Sequence, residues 1–336
     1  MPSSMPSARI LGTGRFLPPD VRTNRDIERM VETSDTWIVE RTGIRERRIA
    51  PDGMTTSDMA AAGAREALDM AGIRAADLDL IVLATVTPDM PMPSGAAIVQ
   101  GKLGAGHCPA IDVGAACAGF VFALSVGEQF IRTGKYRTVL VVGADTLTKF
   151  IDWTDRKTCV LFGDGAGAVV LGAEAVASDG AVTQGILATS LSTDGTLAPA
   201  LYIPGGGSAR PPSAATVDER LHFIRMNGQE IFKHAVKNLV AASRAALGEA
   251  GMTMASVDWV CAHQANKRIL DQVALRLETA PDRMLCNIDR VGNTSSASIP
   301  ILLDESVRAG TVRTGDVVVM SALGAGISWG GAVVRM

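Results

Sequence analysis

Three short stretches of this chain carry side chains suited to covalent chemistry at a carbonyl. The first is Asp112-Val-Gly-Ala-Ala-Cys117-Ala-Gly-Phe120, a cysteine set among glycines and alanines. An apolar run, Pro109 to Val113, leads into it, and a helix-like pattern (Phe120, Phe122, Ala123, Leu124, Val126) leads out. Cys117 is therefore expected at a strand-to-helix corner. There the positive end of a helix dipole favours a thiolate, and small neighbours leave room for a substrate carbonyl. A cysteine is more often a buried, inert core residue, so this stretch alone leaves both readings open. The second stretch is Cys261-Ala-His263-Gln-Ala-Asn266, directly after the apolar run Val257 to Cys261. A histidine at the carboxyl end of a buried strand lies where open α/β sheets hold their ligands, although a lone histidine is more often a surface or satisfied core residue. The third is Val291-Gly-Asn293-Thr-Ser-Ser-Ala-Ser298, where Asn293 stands in a loop of small polar residues before Ile299. Taken by itself, Asn293 reads as a turn asparagine capping a helix.

The elements that must position these residues alternate. Residues 8–21 read as a strand and turn, and Thr33-Ser-Asp35 offers an N-cap for a short helix through Trp37 and Glu40, ending before Gly43. Ser57-Asp58 is expected to cap a second helix that ends at Gly72. Leu78 to Val86 is apolar apart from Asp79 and Thr85, with the unbroken run that a strand buried on both faces shows. A helix over Gly95–Leu103, the Cys117 corner, a helix over Phe120–Thr133 and a strand over Thr138–Val142 follow. Such alternation predicts an α/β fold with a mostly parallel sheet covered on both faces.

The second half repeats the first. Leu78-Asp-Leu-Ile-Val82 resembles Val257-Asp-Trp-Val-Cys261 (258 − 79 = 179), and Ala110-Ile-Asp112 resembles Asn287-Ile-Asp289 (289 − 112 = 177). Thr138-Val-Leu-Val-Val142 resembles Asp316-Val-Val-Val-Met320 (316 − 138 = 178). Two copies of one α/β unit are predicted, residues 1–180 carrying the cysteine and 181–336 the histidine and asparagine. Under this alignment Cys117 falls opposite Thr294, next to Asn293, and the two corners face each other if the halves pack about a pseudo-twofold axis.

Composition bounds the function. At 336 residues the chain has ample core for two domains or one large one. A net charge of −3 gives no electrostatic footprint for nucleic acid. The opening MPSSMPSARI lacks the apolar core of a signal peptide, and runs such as Leu80 to Val86 are too short to span a bilayer. Five scattered cysteines, odd in number and without paired spacing, argue against a disulfide framework and against zinc, so reduced thiols and a cytoplasmic location are expected. Gly12-Thr-Gly14 lacks the third glycine of a dinucleotide loop, and Gly163-Asp-Gly-Ala-Gly167 leads into a strand pattern, so NAD binding is rejected. Pro204 to Ser213 is a Gly/Pro-rich loop, read as a mobile surface connection with a role as lid or pocket wall left open.

The stretches GAACAGF around Cys117, HQANKRIL from His263 and GNTSSAS around Asn293 resemble the β-ketoacyl-acyl carrier protein synthase III family of the thiolase superfamily. So do TSDTWIVERTGIRER (33–47), FGDGAGAVVLG (162–172) and the closing GISWGGAVVRM. The likeness runs from about residue 9 to the C-terminus. It implies a five-layered αβαβα fold made by duplication, in keeping with the repeat. It also implies a reaction that condenses acetyl-CoA, or another short acyl-CoA, with malonyl-acyl carrier protein to start fatty-acid synthesis. On this reading no cofactor or metal takes part, and coenzyme A enters only as the substrate thioester.

Chemistry supports these roles. A thiolate of Cys117 attacks an acyl thioester, and the Cys117 N–H helps hold the oxyanion. The family's second backbone donor comes from a glycine-rich turn that here is Leu323-Gly-Ala-Gly326, with Ala325 where the family commonly has glycine. No Glu or second Cys accompanies Cys117 and His263, so there is no evident base to take a proton from an acyl α-carbon. Neutral Asn293, with His263, instead suits holding a malonyl thioester oxygen while carbon dioxide leaves. That set argues against thiolase (Cys-His-Cys) and hydroxymethylglutaryl-CoA synthase (Cys-His-Glu) chemistry.

The resemblance further implies that the adenine of CoA stacks between Trp37 and Arg156, with Arg41 on the pantetheine and phosphate side. It places Lys233, Lys267 and Arg268 at a docking face for an acidic carrier protein. Lys157 stands where the family often has glycine, which makes the rim more basic. Met92 and Leu323 are expected at the acyl pocket. Met92 replaces a phenylalanine that the family often donates across a homodimer interface, so chains longer than acetyl are admitted in principle. Two rival readings keep the fold: a starter-unit condensing or acyl-transfer enzyme of secondary metabolism, and an acyl-CoA thioester hydrolase. A non-catalytic scaffold is a third, set against the intact cysteine, histidine and asparagine.

Overall fold

The computed structural model describes residues 5–174 and 184–336. The division predicted at 180/181 lies outside the described residues. One sheet is built from β1 (Ser7–Phe16), β2 (Leu80–Ala84), β3 (Ala110–Val113), β4 (Thr138–Asp145) and β5 (Gly165–Glu174), in the spatial order β1-β5-β4-β2-β3. All five residues of β2 are buried, which is why this strand is apolar without alternation. It pairs in parallel with β3 and β4, while β5 runs antiparallel to both β4 and β1.

The other sheet holds β6 (Gly185–Thr193), β7 (Trp259–Ala262), β8 (Val317–Gly324) and β9 (Ser328–Arg335), in the order β7-β8-β9-β6. Here β8 is parallel to β7 and antiparallel to β9, and β9 is antiparallel to β6. The run β6-β9-β8-β7 thus repeats β1-β5-β4-β2, with the same senses of pairing. Beyond β7, Met284 makes a parallel bridge to Val260, in the place that β3 takes beside β2. The expected match of Ala110–Asp112 to Asn287–Asp289 is therefore corrected. The first is strand β3, whereas Ile288–Val291 is a single helical turn. Their aspartates also differ in use, for Asp112 accepts the Gly95 and Ala96 N–H groups at 2.7 Å each and caps a helix.

Seven longer helices complete the fold: α1 (Asp35–Thr42), α2 (Thr56–Ala71), α3 (Gly95–Leu103), α4 (Gly119–Arg132), α5 (Gly228–Glu249), α6 (Lys267–Leu277) and α7 (Ser298–Arg308). Helix α2 covers the outer face of the first sheet with α3 beside it, and α5 covers the outer face of the second with α6 beside it. Helices α4 and α7 lie between, touching strands of both sheets, so the layers run αβαβα. Helix α2 starts two residues earlier than the sequence suggests. Thr55 is its N-cap, in a reciprocal capping box with Asp58, while Ser57 turns its hydroxyl to Asp89. Ser34 caps α1, and Gly43 closes it in the left-handed region at φ 80°, as its position predicts.

Both inner helices are entered through the same corner. A 3-10 turn over Ala116–Ala118 runs into α4, and one over Ser295–Ala297 runs into α7. Each begins on a non-glycine residue at positive φ, Ala116 at 47° and Ser295 at 54°. These two residues stand 179 apart (295 − 116), so the structural counterpart of Cys117 is Ser296 rather than the expected Thr294. Among the described residues no helix is long and apolar enough to cross a membrane.

Candidate active site

Cys117 sits at the middle of its corner turn, 8% exposed, where two cavities meet. One, of about 210 Å³, is apolar and is walled by Val86, Leu147, Phe162, Leu201, Ile203 and Ile224, with Ser295 and Ala325 completing it. The other, of about 150 Å³, holds His263 and Asn293 along with Phe232, Asn266 and Leu323. The three side chains singled out in the sequence thus share one space. His263 follows β7, its N–H donating to the Ser321 carbonyl at 2.8 Å. Asn293 is pinned through its backbone to the FGDGAGA segment: its N–H donates to the Leu161 carbonyl and its carbonyl accepts from Gly163 N–H, both at 2.9 Å.

Side-chain orientation follows from two hydrogen bonds. The Ser295 N–H donates to Asn293 Oδ1 at 2.9 Å, which makes the amide Nδ2 the free end. The His263 ring meets Ser298 Oγ through Nδ1 at 2.6 Å, leaving Nε2 for the cavity. Burial draws the His263 pKa down to about 4, so the ring is neutral at physiological pH.

The same force acts on the nucleophile. Burial pushes the Cys117 thiol up to about 12. The Ser295 hydroxyl, buried and without another partner, pulls it back, and the Asp145 carboxylate adds to the rise. Burial and the Asp145 carboxylate thus oppose the thiolate expected at this helix end, while the Ser295 hydroxyl favours it.

Asp145, fully buried at the end of β4, braces the site. Its Oδ1 accepts from Thr85 Oγ1, Val86 N–H and Thr87 Oγ1 at 2.9–3.0 Å, and its Oδ2 accepts from Ser296 N–H and Oγ at 3.2 and 2.7 Å. One carboxylate therefore ties the wall of the apolar cavity to the second corner.

The backbone of the Ala325 turn reaches the nucleophile as expected. A Cβ on Gly324 would lie 2.4 Å from the Ala115 carbonyl and 2.7 Å from the Cys117 nitrogen, so only glycine admits this approach. The acyl-pocket expectations fare differently. Leu323 lines the His263 cavity, and Ala325, two residues on, lines the apolar one. Met92 is 84% exposed and lines neither cavity of its own chain. The actual wall comes from Val86, Leu147, Phe162 and the segments flanking residues 204–213, Leu201–Ile203 and Ile224. These are ordinary apolar residues, and nothing in their local pattern sets them apart.

Trp37 is flanked by both expected arginines, with the Arg156 and Arg41 guanidinium carbons 4.9 and 5.8 Å from its ring centroid. This cluster adjoins the His263 cavity, since Asn266, on the cavity wall, donates through Nδ2 to the Arg41 carbonyl at 2.9 Å. The basic residues stand at the same rim. Lys233 and Lys267 are exposed, Lys267 pairs with Asp271, and Arg268 lies 5.6 Å from the centroid of cavity-lining Phe232.

A duplicated αβαβα fold, with a buried cysteine, a neutral histidine and an amide on one cavity, defines a thiolase-like acyl-transferring enzyme. The sequence matches 3-oxoacyl-acyl-carrier-protein synthase III over residues 111–195 and the C-terminal part of the same family over residues 247–336. A β-ketoacyl-acyl-carrier-protein synthase III of Rhodospirillum centenum is 50% identical over 97% of this chain and 98% of its own length. One of Caldanaerobacter subterraneus is 48% identical over 98% of each chain. The crystal structure of a 3-oxoacyl-acyl-carrier-protein synthase III from Aquifex aeolicus superposes with a TM-score of 0.89 at 43% identity, covering 98% of this chain and 100% of that one. A priming β-ketosynthase of a polyketide biosynthetic pathway superposes with a TM-score of 0.91 at 34% identity, covering 100% of this chain and 98% of that one. The chain belongs to the β-ketoacyl-acyl-carrier-protein synthase III family.

Proposed function

We propose that this enzyme transfers a short acyl group from CoA to Cys117 and then condenses it with malonyl-acyl carrier protein, initiating fatty-acid synthesis. The observation that carries the reading is the place of Cys117 on the common wall of two cavities, one apolar and one bearing two hydrogen-bond donors. The apolar cavity suits the acyl chain, and the polar one suits the second substrate.

In the first half-reaction Cys117 Sγ bonds to the thioester carbonyl carbon. The Cys117 and Ala325 backbone N–H groups receive the oxyanion, and the C–S bond to CoA breaks, the thiol proton leaving with coenzyme A as its free thiol. In the second half-reaction the bond between the malonyl α-carbon and its carboxylate breaks. The electron pair passes into an enolate whose oxygen accepts from His263 Nε2–H and Asn293 Nδ2–H. The α-carbon then bonds to the acyl carbonyl carbon, and the Cys117 C–S bond breaks to release the β-ketoacyl thioester, leaving a Cys117 thiolate that takes one proton from solvent to restore the thiol. Two neutral donors suit this step, since a carboxylate in place of Asn293 would repel both the malonate and the enolate.

Trp37, Arg156 and Arg41 are assigned to CoA, the adenine displacing Arg156 from the Trp37 face. Lys233, Lys267 and Arg268 are assigned to an acidic carrier protein arriving at the same mouth. A cytoplasmic homodimer is the assembly proposed: β3 is an edge strand, and Met90 and Met92 stand exposed at 46% and 84% on the loop after β2. A priming enzyme of a specialised pathway is the second reading, favoured by the similarity to the polyketide priming synthase.

Intact-protein mass after incubation with acetyl-, isobutyryl-, hexanoyl- and octanoyl-CoA tests the proposal. An acyl gain on the wild type, absent in Cys117→Ser, is expected. Best labelling by the short primers favours fatty-acid initiation, and by the long ones the specialised pathway. No adduct with any primer, together with no condensation product from malonyl-acyl carrier protein, would sink the acyl-enzyme mechanism.

A further inference from the structure

We infer that Ser298 is a positioning residue that holds His263 in the tautomer with its proton on Nε2. The inference rests on the decarboxylative reading above, in which Nε2 must donate. Ser298 is the first residue of α7 and is 1% exposed, and its Oγ lies 2.6 Å from His263 Nδ1. A hydroxyl has one proton to give and lone pairs to receive. Among the described residues the other partner of this oxygen is the Gln264 N–H, which can only donate to it, at 3.4 Å. The hydroxyl proton therefore has one acceptor within reach, His263 Nδ1. Were Nδ1 protonated instead, two N–H groups would point at one oxygen and the buried hydroxyl proton would lack a partner, which burial makes costly.

The consequence falls on the far side of the ring. With Nδ1 an acceptor, a neutral imidazole carries its proton on Nε2 and presents a donor to the cavity, beside Asn293 Nδ2. In the other tautomer Nε2 would turn a lone pair toward the enolate oxygen. The positioning is reinforced through the chain, since Ser298 opens the helix that directly follows the Asn293 loop. One helix start thus sets both donors, the amide through Ser295 N–H and the ring through the Ser298 hydroxyl.

Nitrogen-15 NMR of protein labelled at histidine tests this directly. The chain has four histidines, and a His263→Ala sample assigns the signal. The wild type is expected to show Nδ1 unprotonated and Nε2 protonated at pH 7, and a protonated Nδ1 would overturn the inference. Ser298→Ala is expected to mix the tautomers. It should slow decarboxylation of malonyl-acyl carrier protein about tenfold while acylation of Cys117 stays within about twofold, a split that general loosening would not produce. Ser298→Thr, which keeps the hydroxyl, is expected to restore both the spectrum and the rate. An unchanged tautomer and rate in Ser298→Ala would overturn the inference, and if that variant fails to fold, the wild-type and Ser298→Thr spectra decide it. A wild type that never decarboxylates the malonyl thioester would instead overturn the functional reading, leaving the tautomer measurement to stand by itself.

Discussion

The strand-to-helix corner occurs twice in this molecule, and the two copies do different work. Each begins on a residue at positive φ, Ala116 or Ser295, and each is pressed by a glycine from a central strand of the other sheet. Gly324, at the end of β8, meets the Ala115–Cys117 corner. Gly143, on β4, meets the Ser295–Ala297 corner, where an added Cβ would lie 2.3 Å from the Ser296 carbonyl. The corners thus lock each other in a reciprocal contact. Only the first carries a nucleophile. In the second the equivalent position is Ser296, whose hydroxyl is spent on Asp145 Oδ2 and the Ala84 carbonyl, and the chemistry moves outward to Asn293 and Ser298. The two copies share one backbone geometry, and on the proposed mechanism their different side chains divide acyl transfer from enolate stabilisation.

Removing a donor from the second corner tests that division most strongly. Asn293→Ala is expected to lower malonyl decarboxylation and condensation by ~10²–10³, the usual loss for one oxyanion donor. Acylation of Cys117, read by intact mass, should remain near the wild-type rate. An equal loss in both half-reactions would show that the corners are not separable.

The glycine pair sharpens the comparison at smaller scale. Gly324→Ala and Gly143→Ala each force a Cβ against backbone and should destabilise by ~1–3 kcal/mol, measured by denaturant unfolding. Only Gly324→Ala should also slow Cys117 acylation, because the displaced atoms include the Cys117 nitrogen. Loss of acylation in Gly143→Ala would mean that the two corners shift as one body.

How far this arrangement was legible in the sequence follows from where its information lies. Cys117, His263 and Asn293 each admit an ordinary structural reading when taken alone, and they are joined as a set only by the resemblance of their three motifs to one family, whereas the buried strands announce themselves by apolar runs. The repeat was visible in β2 with β7 and in β4 with β8, where both copies keep a buried strand. It misled at Asn287–Asp289, because two matching letters, Ile and Asp, hid a strand in one copy and a helical turn in the other. Leu323 and Ala325 fall on different cavities although they are two residues apart, a division that no pattern of the turn announces. The apolar wall, Asp145 and Ser298 were not legible at all. A buried Thr, Ser or Asp network depends on residues as far apart as Thr85 and Ser296, which no local spacing encodes.

Protonation separates the two corners as well. His263 has an ordinary value of 6.5 and is lowered to about 4 by burial, so between these limits the unfolded chain binds a proton that the folded chain refuses. The unfolded state then holds more protons, and stability rises with pH across the window. The contribution is fully present above pH 6.5 and is lost as pH falls toward 4, at ~1.4 kcal/mol per unit and ~3 kcal/mol over the interval. Other carboxylates titrate in the same range, so the difference between wild type and His263→Gln isolates it. The wild type should lose stability more steeply than the variant from pH 6.5 downward, and its His263 NMR signal should hold its neutral position to about pH 5. An inflection near 6.5 in that signal would mean that the ring reaches water, and with it that the second corner lacks the dry, fixed donor which distinguishes it from the first.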